Sequence, residues 1–387
     1  MTPDDQFMRR ALDLARAGIG LASPNPVVGG VVVDATGKEV GSGTHTYDGL
    51  KHAEVLALEQ AGPRARGGTL YLNLEPCSHQ GRTPPCADAV IAAGIQRVVC
   101  SMQDPNPLVA GQGFARLRAA GIKVEIGLLE AEAKRLNEAF AKFIRLKMPL
   151  VTLKAAMTLD GKIAPPPVGT SHSKQAAGGS TGGWITGEIA RKYVHELRHE
   201  HDAIMAGVGT VIADDPLLTD RSGRTRRRPL LRVILDSWLR LPETSQLVKS
   251  AQGDALIFYS QADESRAHEL EKLGLQLEKV SPGPDNERPD LAEVMRHLAK
   301  HDVTSVLIEG GATVNWTALS SGVVDKLFLF YAPKILGEGS VPFVASAGQG
   351  HTHVALTARR VRLHQFGEDF AVEGYLRDPY HDGTLAK

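Results

Sequence analysis

His52-Ala53-Glu54, followed by Pro76-Cys77 and then Cys86, brings together residue types that bind zinc and move protons. A zinc hydrolase that attacks an aromatic amino carbon needs three protein ligands and an open position for water. It also needs a carboxylate that shuttles the proton without binding the metal. One histidine and two cysteines supply the ligands, and Glu54 the carboxylate. A His-x-Glu that starts a helix sets ligand and acid on adjacent turns of one rigid element. Cys86 starts another helix, where amide dipoles favour a thiolate. This is the pattern of zinc nucleobase deaminases with one departure: eight residues, 78–85, separate the cysteines instead of the usual two. Any one of these residues alone reads as core or loop; their joint spacing argues a site. Cys100, at the end of a strand among valines, reads as core.

The second half carries different chemistry. Glu309-Gly310-Gly311 ends the apolar strand 303–308 and opens the segment 312–319. Glycine there lets a pyrophosphate approach the backbone, and a helix start offers amide donors. The same residues could also serve only to turn the chain. His195-Glu196-Leu197-Arg198-His199 spells the H-E-x-x-H of zinc proteases. A protease needs a third ligand downstream, but here the helix ends near Asp202 and a strand, 203–207, follows at once. The two histidines therefore read as an exposed helix face without metal. Gly111-Gln112-Gly113 lacks the third glycine of a dinucleotide fingerprint, with Arg116 at that offset.

The elements that must position these residues alternate along the chain. Helical spacing covers 5–17, 53–58, 87–93, 114–120 and 130–144; strands are expected at 27–33, 69–74, 97–100 and 123–126. Such alternation argues a three-layer α/β domain. Lys147-Met148-Pro149 halts the last helix, giving a boundary that divides 1–146 from 147–380. The second region alternates again, and strands 328–331 and 371–375 suggest an antiparallel end to its sheet. Residues 164–183, rich in Pro and Gly, read as a flexible loop.

Composition narrows the classes. The 387 residues suit two domains, and 44 basic against 44 acidic residues leave no net charge to grip a nucleic-acid backbone. With only 5% aromatics and the long cysteine spacing, a nucleic-acid-editing deaminase is disfavoured. No apolar run suits a membrane span and no secretory leader is visible; three cysteines fit a reducing, cytoplasmic setting. The cluster Arg224, Arg226, Arg227 and Arg228 reads as a solvated face, with the 2′-phosphate of a cofactor as the alternative.

The longer motifs SPNPVVGGVVV, GTHTYDGLKHAE, PCSHQGRTPPC and DPNPLVAGQGFARLRAAGIKV, within 23–124, resemble the deaminase half of the RibD family of bifunctional riboflavin biosynthesis enzymes. From about 150 to 335, LKAA, TLDGK, WIT, GVGT, DDPLLT and EGG continue that resemblance in order, into a reductase half. The fold implied is a cytidine-deaminase-like α/β domain followed by a dihydrofolate-reductase-like one. The resemblance implies His52, Cys77 and Cys86 as ligands of one zinc, Glu54 as proton shuttle, and Asn25 beside the pyrimidine. His79, Arg82 and Thr83 become candidates for the sugar phosphate, a reading that a loop with a guanidinium, a hydroxyl and free amides also supports.

For the reductase, the resemblance implies NADPH on Ala156, Trp184, Thr210, Asp214, Ser237 and Gly311, Ala312, Thr313, Val314, Asn315, Trp316 and Thr317. Substrate would meet Arg198, Leu218, Arg221 and Glu309, while Lys154 would support charge near the carbon receiving hydride or pair with an acid. Gly182 stands where the family has serine, and the loop 164–183 is longer than the family's by about a dozen residues. The expected activity is deamination of a diaminopyrimidinone carrying ribose 5-phosphate, then reduction of its ribosyl chain. Its partners would be small phosphorylated pyrimidines, with no nucleic acid or membrane, and the chain would form a homodimer or homotetramer.

Overall fold

The computed structural model describes residues 2–166, 184–345 and 355–381. Most of the loop 164–183, Gly182 included, lies outside the described residues. The chain divides into two compact units, one of 1–147 with 225–228 and the other of 148–224 with 229–387. Among the described residues no helix is long and apolar enough to cross a membrane.

The first unit is built on strands β1 (Gly29–Val33), β2 (Glu39–Thr44), β3 (Thr69–Leu72), β4 (Arg97–Cys100) and β5 (Lys123–Ile126). They lie in the order β2-β1-β3-β4-β5. β1 pairs antiparallel with β2 and β3, and β3, β4 and β5 run parallel. Helices α1 (Pro3–Ala17), α2 (Ala53–Ala61), α3 (Cys86–Ala92) and α4 (Gln112–Ala119) cover it, followed by α5 (Glu130–Leu136) and α6 (Glu138–Leu146). The first helix starts earlier than its apolar spacing suggests, because Thr2 and Asp5 form a reciprocal capping box. The helix expected over 130–144 breaks at Asn137. The Asn137 amide accepts the Val27 N–H at 2.9 Å and donates to the Val27 carbonyl at 3.1 Å, pairing side chain with strand-like backbone.

α2 approaches β2 unusually closely. Ala53, Ala57 and Ala61, four residues apart, share one buried face of α2. Opposite them stand Gly41 and Gly43 of β2. A methyl at Gly41 would come within 2.1 Å of the Ala57 carbonyl oxygen, and one at Gly43 within 2.3 Å of that of Ala53. The helix that His52 precedes is thus set against the sheet by backbone contact.

The second unit has a nine-stranded sheet. Its strands are β6 (Leu150–Thr158), β8 (Ala203–Gly207), β9 (Leu231–Leu235), β10 (Ala255–Tyr259), β11 (Gln276–Lys279), β12 (Ser305–Ile308), β13 (Lys326–Ala332), β15 (Arg359–Phe366) and β16 (Asp369–Tyr375). β7 (Lys162–Ala164) pairs separately with β14 (Val341–Pro342). The order is β11-β10-β9-β8-β12-β6-β13-β16-β15. The run from β11 to β13 is parallel, and β13–β16–β15 closes antiparallel, as the sequence suggests. Helices α7 (Glu188–Glu200), α8 (Val208–Asp214), α9 (Gln246–Lys249), α10 (Glu264–Glu271), α11 (Leu291–Lys300) and α12 (Ala312–Ser320) accompany the strands. Fully buried Val151, Leu153, Met205, Val233 and Phe258 centre one core, packed on Val294 and Leu298 of α11.

Candidate active site

His52 is the residue before α2, Glu54 lies in its first turn, and Cys86 is the first residue of α3. Cys77 follows β3 by five residues, in the loop that leads to α3. His52 Nδ1 lies 3.2 Å from Cys86 Sγ and 3.5 Å from Cys77 Sγ, and the three donor atoms lie within 4.8 Å of one another. Tetrahedral zinc at ordinary bond lengths separates a nitrogen and a sulfur ligand by about 3.6 Å, so the donor set fits that metal. Among the described residues this is the one group of three or more that could hold an ion.

The amide at the start of α3 acts differently from expectation. The Cys86 N–H points at Cys77 Sγ, 3.3 Å away, so the helix start favours the thiolate on Cys77. Hydrogen bonding from Cys86, with help from His52, draws the Cys77 thiol down to about 4. The hydrogen bond to Cys77 and burial push Cys86 up. Glu54 is 3% exposed, and burial lifts its carboxyl to about 7. A carboxyl in such surroundings can take up and release a proton near neutral pH.

His52, Glu54 and Cys77 open on a cavity of about 270 Å³ lined also by Asn25, His79, Arg82 and Thr83, with Cys86 buried behind it. The structure therefore brings every expected deaminase residue to one place. It adds His45, Asp104 and Asn106, which the sequence reading left without a role. His45 and Asp104 lie inside motifs that carry the resemblance, which was the available signal. Burial lowers the His45 imidazole from its ordinary value and pushes Asp104 up to about 6. The loop bearing Asp104 is pinned by Glu75, also missed, whose carboxylate accepts N–H bonds from Asp104, Gly111, Gly113 and Phe114 at 2.8–3.2 Å. Cys100 is fully buried, as expected of core.

Of the arginine cluster, Arg224 is exposed as its charge suggests, whereas Arg226, Arg227 and Arg228 are half-buried. Arg227, grouped with the first unit, donates to the Ser23 carbonyl at 2.9 Å, and its guanidinium lies 4.1 Å from the centre of the Tyr47 ring. Tyr47 also receives the Arg82 guanidinium, at 4.5 Å. The electron-rich ring attracts both cations.

In the second unit, parallel strands bring the expected cofactor residues to one edge of the sheet. α8, with Thr210 and Asp214, follows β8 directly, Ser237 follows β9, and Gly311 leads from β12 into α12. Ala156 lies in the second half of β6, parallel to β12, and Trp184 is exposed. The carboxyl edge of a parallel sheet is where nucleotides bind in such folds. Within 312–317, Asn315 turns inward, fully buried, and donates to the Phe343 carbonyl at 2.9 Å.

Lys154, Arg198 and Glu309 meet directly. Glu309 accepts from Arg198 Nε at 2.7 Å and Nη2 at 3.1 Å, and from Lys154 Nζ at 3.3 Å. Arg198 Nη1 donates to the Thr219 carbonyl at 2.9 Å. Burial alone would raise the Glu309 carboxyl, yet the two cations hold it at about 2. Leu218 and Arg221 lie on the segment after α8, Leu218 buried in a left-handed backbone conformation.

The H-E-x-x-H helix is α7, and one expectation for it is corrected. His199 is not on an exposed face: it is 1% exposed, with Nδ1 2.9 Å from Asp220. The segment after α8 packs over that face of the helix and brings the carboxylate, a contact helical periodicity does not reveal.

Residues 1–102 match a family model described as the cytidine and deoxycytidylate deaminase zinc-binding region, and 149–372 one described as the RibD C-terminal domain. The chain is 40% identical over 369 residues to the riboflavin biosynthesis protein RibD of Aquifex aeolicus, covering 95% of this chain and 97% of that one. A solved structure of Acinetobacter baumannii RibD is 36% identical with a TM-score of 0.79, over 96% of this chain and 98% of the other. A Thermotoga maritima structure, described as a diaminohydroxyphosphoribosylaminopyrimidine deaminase/5-amino-6-(5-phosphoribosylamino)uracil reductase, is 35% identical with a TM-score of 0.76, again over 96% and 98%.

Proposed function

The chain belongs to the RibD family, the bifunctional deaminases and reductases of riboflavin biosynthesis, and from that premise we propose which of its side chains carry each reaction. The enzyme hydrolyses the 2-amino group of 2,5-diamino-6-ribosylamino-4(3H)-pyrimidinone 5′-phosphate, giving 5-amino-6-(5-phosphoribosylamino)uracil. It then reduces the ribosyl chain with NADPH to the ribitylamino product. We assign the first reaction to 1–146 and the second to 147–380, with 225–228 packed into the first unit.

His52, Cys77 and Cys86 would hold the zinc, which would supply a Lewis acid that makes a water acidic near neutral pH. Glu54, beside a ligand without being one, is placed to take a proton from the attacking water and to deliver it to the departing ammonia. Asn25 holds the pyrimidine, and His79, Arg82 and Thr83 hold the sugar phosphate from the loop between the cysteines. The observation that carries this reading is the convergence of His52 Nδ1 and two sulfurs beside a cavity that Glu54 also lines.

In the second unit, Ala156, Trp184, Thr210, Asp214, Ser237, Gly311, Ala312, Thr313, Val314, Trp316 and Thr317 would hold NADPH, which would supply the hydride, while the inward-turned Asn315 braces α12 from within. Lys154, Arg198, Leu218, Arg221 and Glu309 hold the substrate. Glu309 sets the distance between the Lys154 and Arg198 cations. We place the protein in the cytoplasm, where three free cysteines stay reduced, as a dimer or tetramer that light scattering would count.

Glu54→Gln tests the deaminase assignment. The variant is expected to keep about one zinc per chain and to lose roughly 10²–10⁴-fold in deamination. Loss of the metal from that variant, or near-normal deamination with it, refutes the role of Glu54.

A further inference from the structure

His45 is 3% exposed and lines the cavity together with Asn25 and Glu54. Its Nδ1 lies 3.1 Å from the carbonyl oxygen of Lys51, the residue before the ligand His52. A carbonyl can only accept, so Nδ1 carries the proton. The Nε2 of the neutral ring then offers only a lone pair. That nitrogen lies 3.0 Å from Asn25 Nδ2, and the amide donates to it. The reversed amide would set Asn25 Oδ1 against the same lone pair, lose the hydrogen bond and oppose two acceptors. Among the described residues nothing donates to Asn25 Oδ1.

We propose that His45 is a positioning residue: its tautomer, set by the Lys51 carbonyl, locks the Asn25 amide so that Oδ1 is offered to an N–H of the pyrimidinone. The proposal rests on the assignment of this cavity to deamination. The substrate has such donors at its 2-amino group and at the neighbouring ring nitrogen, beside the carbon that exchanges nitrogen for oxygen. An acceptor fixed in the cavity suits that edge. A freely turning amide would present a donor part of the time and would not discriminate.

The test is a double-mutant cycle on the zinc-loaded full chain, with His45→Phe, Asn25→Ala and both together. Deamination of the phosphoribosylated diaminopyrimidinone is the assay. Zinc content and the reductase activity of the same chain report folding. Asn25→Ala is expected to lower kcat/KM roughly 10- to 100-fold, because a buried N–H of the substrate loses its partner. His45→Phe is expected to lower it about tenfold, mainly through KM. Because His45 acts through Asn25, the double variant is expected to match Asn25→Ala alone.

A double variant that falls by the product of the two single losses overturns the proposal, as does His45→Phe within twofold of wild type. If His45→Phe loses zinc, His45→Leu carries the same cycle with the same expectations. Absence of deamination by the zinc-loaded wild-type chain would instead refute the underlying assignment of the cavity.

Discussion

Glu309→Gln removes the carboxylate that Lys154 and Arg198 share while keeping the shape of the side chain. Its carboxyl is held at about 2 in the folded chain, against an ordinary 4.5. A gap of about 2.5 pH units between folded and unfolded states corresponds to about 3 kcal/mol at neutral pH. Removing one partner from a buried ion pair costs about 3–5 kcal/mol, so two independent arguments agree on the size. The folded value is depressed, so this stability is complete above pH 4.5 and is lost as pH falls through about 2. At pH 3 roughly 1.4 kcal/mol of it remains, so the difference between wild type and variant shrinks by about 2 kcal/mol from pH 7.

Urea unfolding followed by tryptophan fluorescence reads the right part of the molecule. Trp184, Trp238 and Trp316 all lie in the second unit. Asp4 and Glu125, which Arg97 likewise holds down to about 2, lie in the first and stay silent. A cost below about 1 kcal/mol at pH 7, or a cost that does not change down to pH 3, would refute the account of this trio.

Two further outcomes follow from groups outside the proposed chemistry. Glu75→Gln offers one acceptor and two donors to four backbone N–H groups. Each buried N–H left unpaired costs about 1–3 kcal/mol, so amide hydrogen exchange at Gly111, Gly113 and Phe114 is expected to rise about a hundredfold; unchanged protection argues against the pinning. The double change His195→Ala, His199→Ala is expected to leave zinc content unchanged and, by removing the buried imidazole that meets Asp220, to destabilise the second unit by about 1–3 kcal/mol. Loss of metal from that variant would reopen the protease reading.

What the sequence made legible was chemistry stated over short spans. His-x-Glu at a helix start and Pro-Cys after a strand are local patterns, and the zinc residues were readable from them. The parallel strands and the antiparallel close of the large sheet followed from alternation. Interactions between distant residues stayed hidden. Arg198 and Glu309 are 111 residues apart, and neither residue's spelling shows that the guanidinium stands in the site already paired with that carboxylate. His45 shows the same limit, since its part in the site depends on a carbonyl and an amide that only folding brings to its two nitrogens. Strand β2 went unseen because Gly41, Ser42 and Gly43 carry no β-branched pattern, although those glycines seat α2.

That seating separates two rates of change. Alanine, the next residue up in size, already collides at Gly41 and Gly43, so the step carrying Ala53, Ala57 and Ala61 has almost no tolerated neighbours in sequence space. The stretch between the two cysteines faces outward instead, with His79, Gln80, Gly81 and Arg82 all exposed. A selection for new substrates would therefore leave the reactive centre untouched and accumulate its changes between Ser78 and Pro85. Randomising that stretch while holding the two glycines and three alanines constant is the library such a selection should begin from.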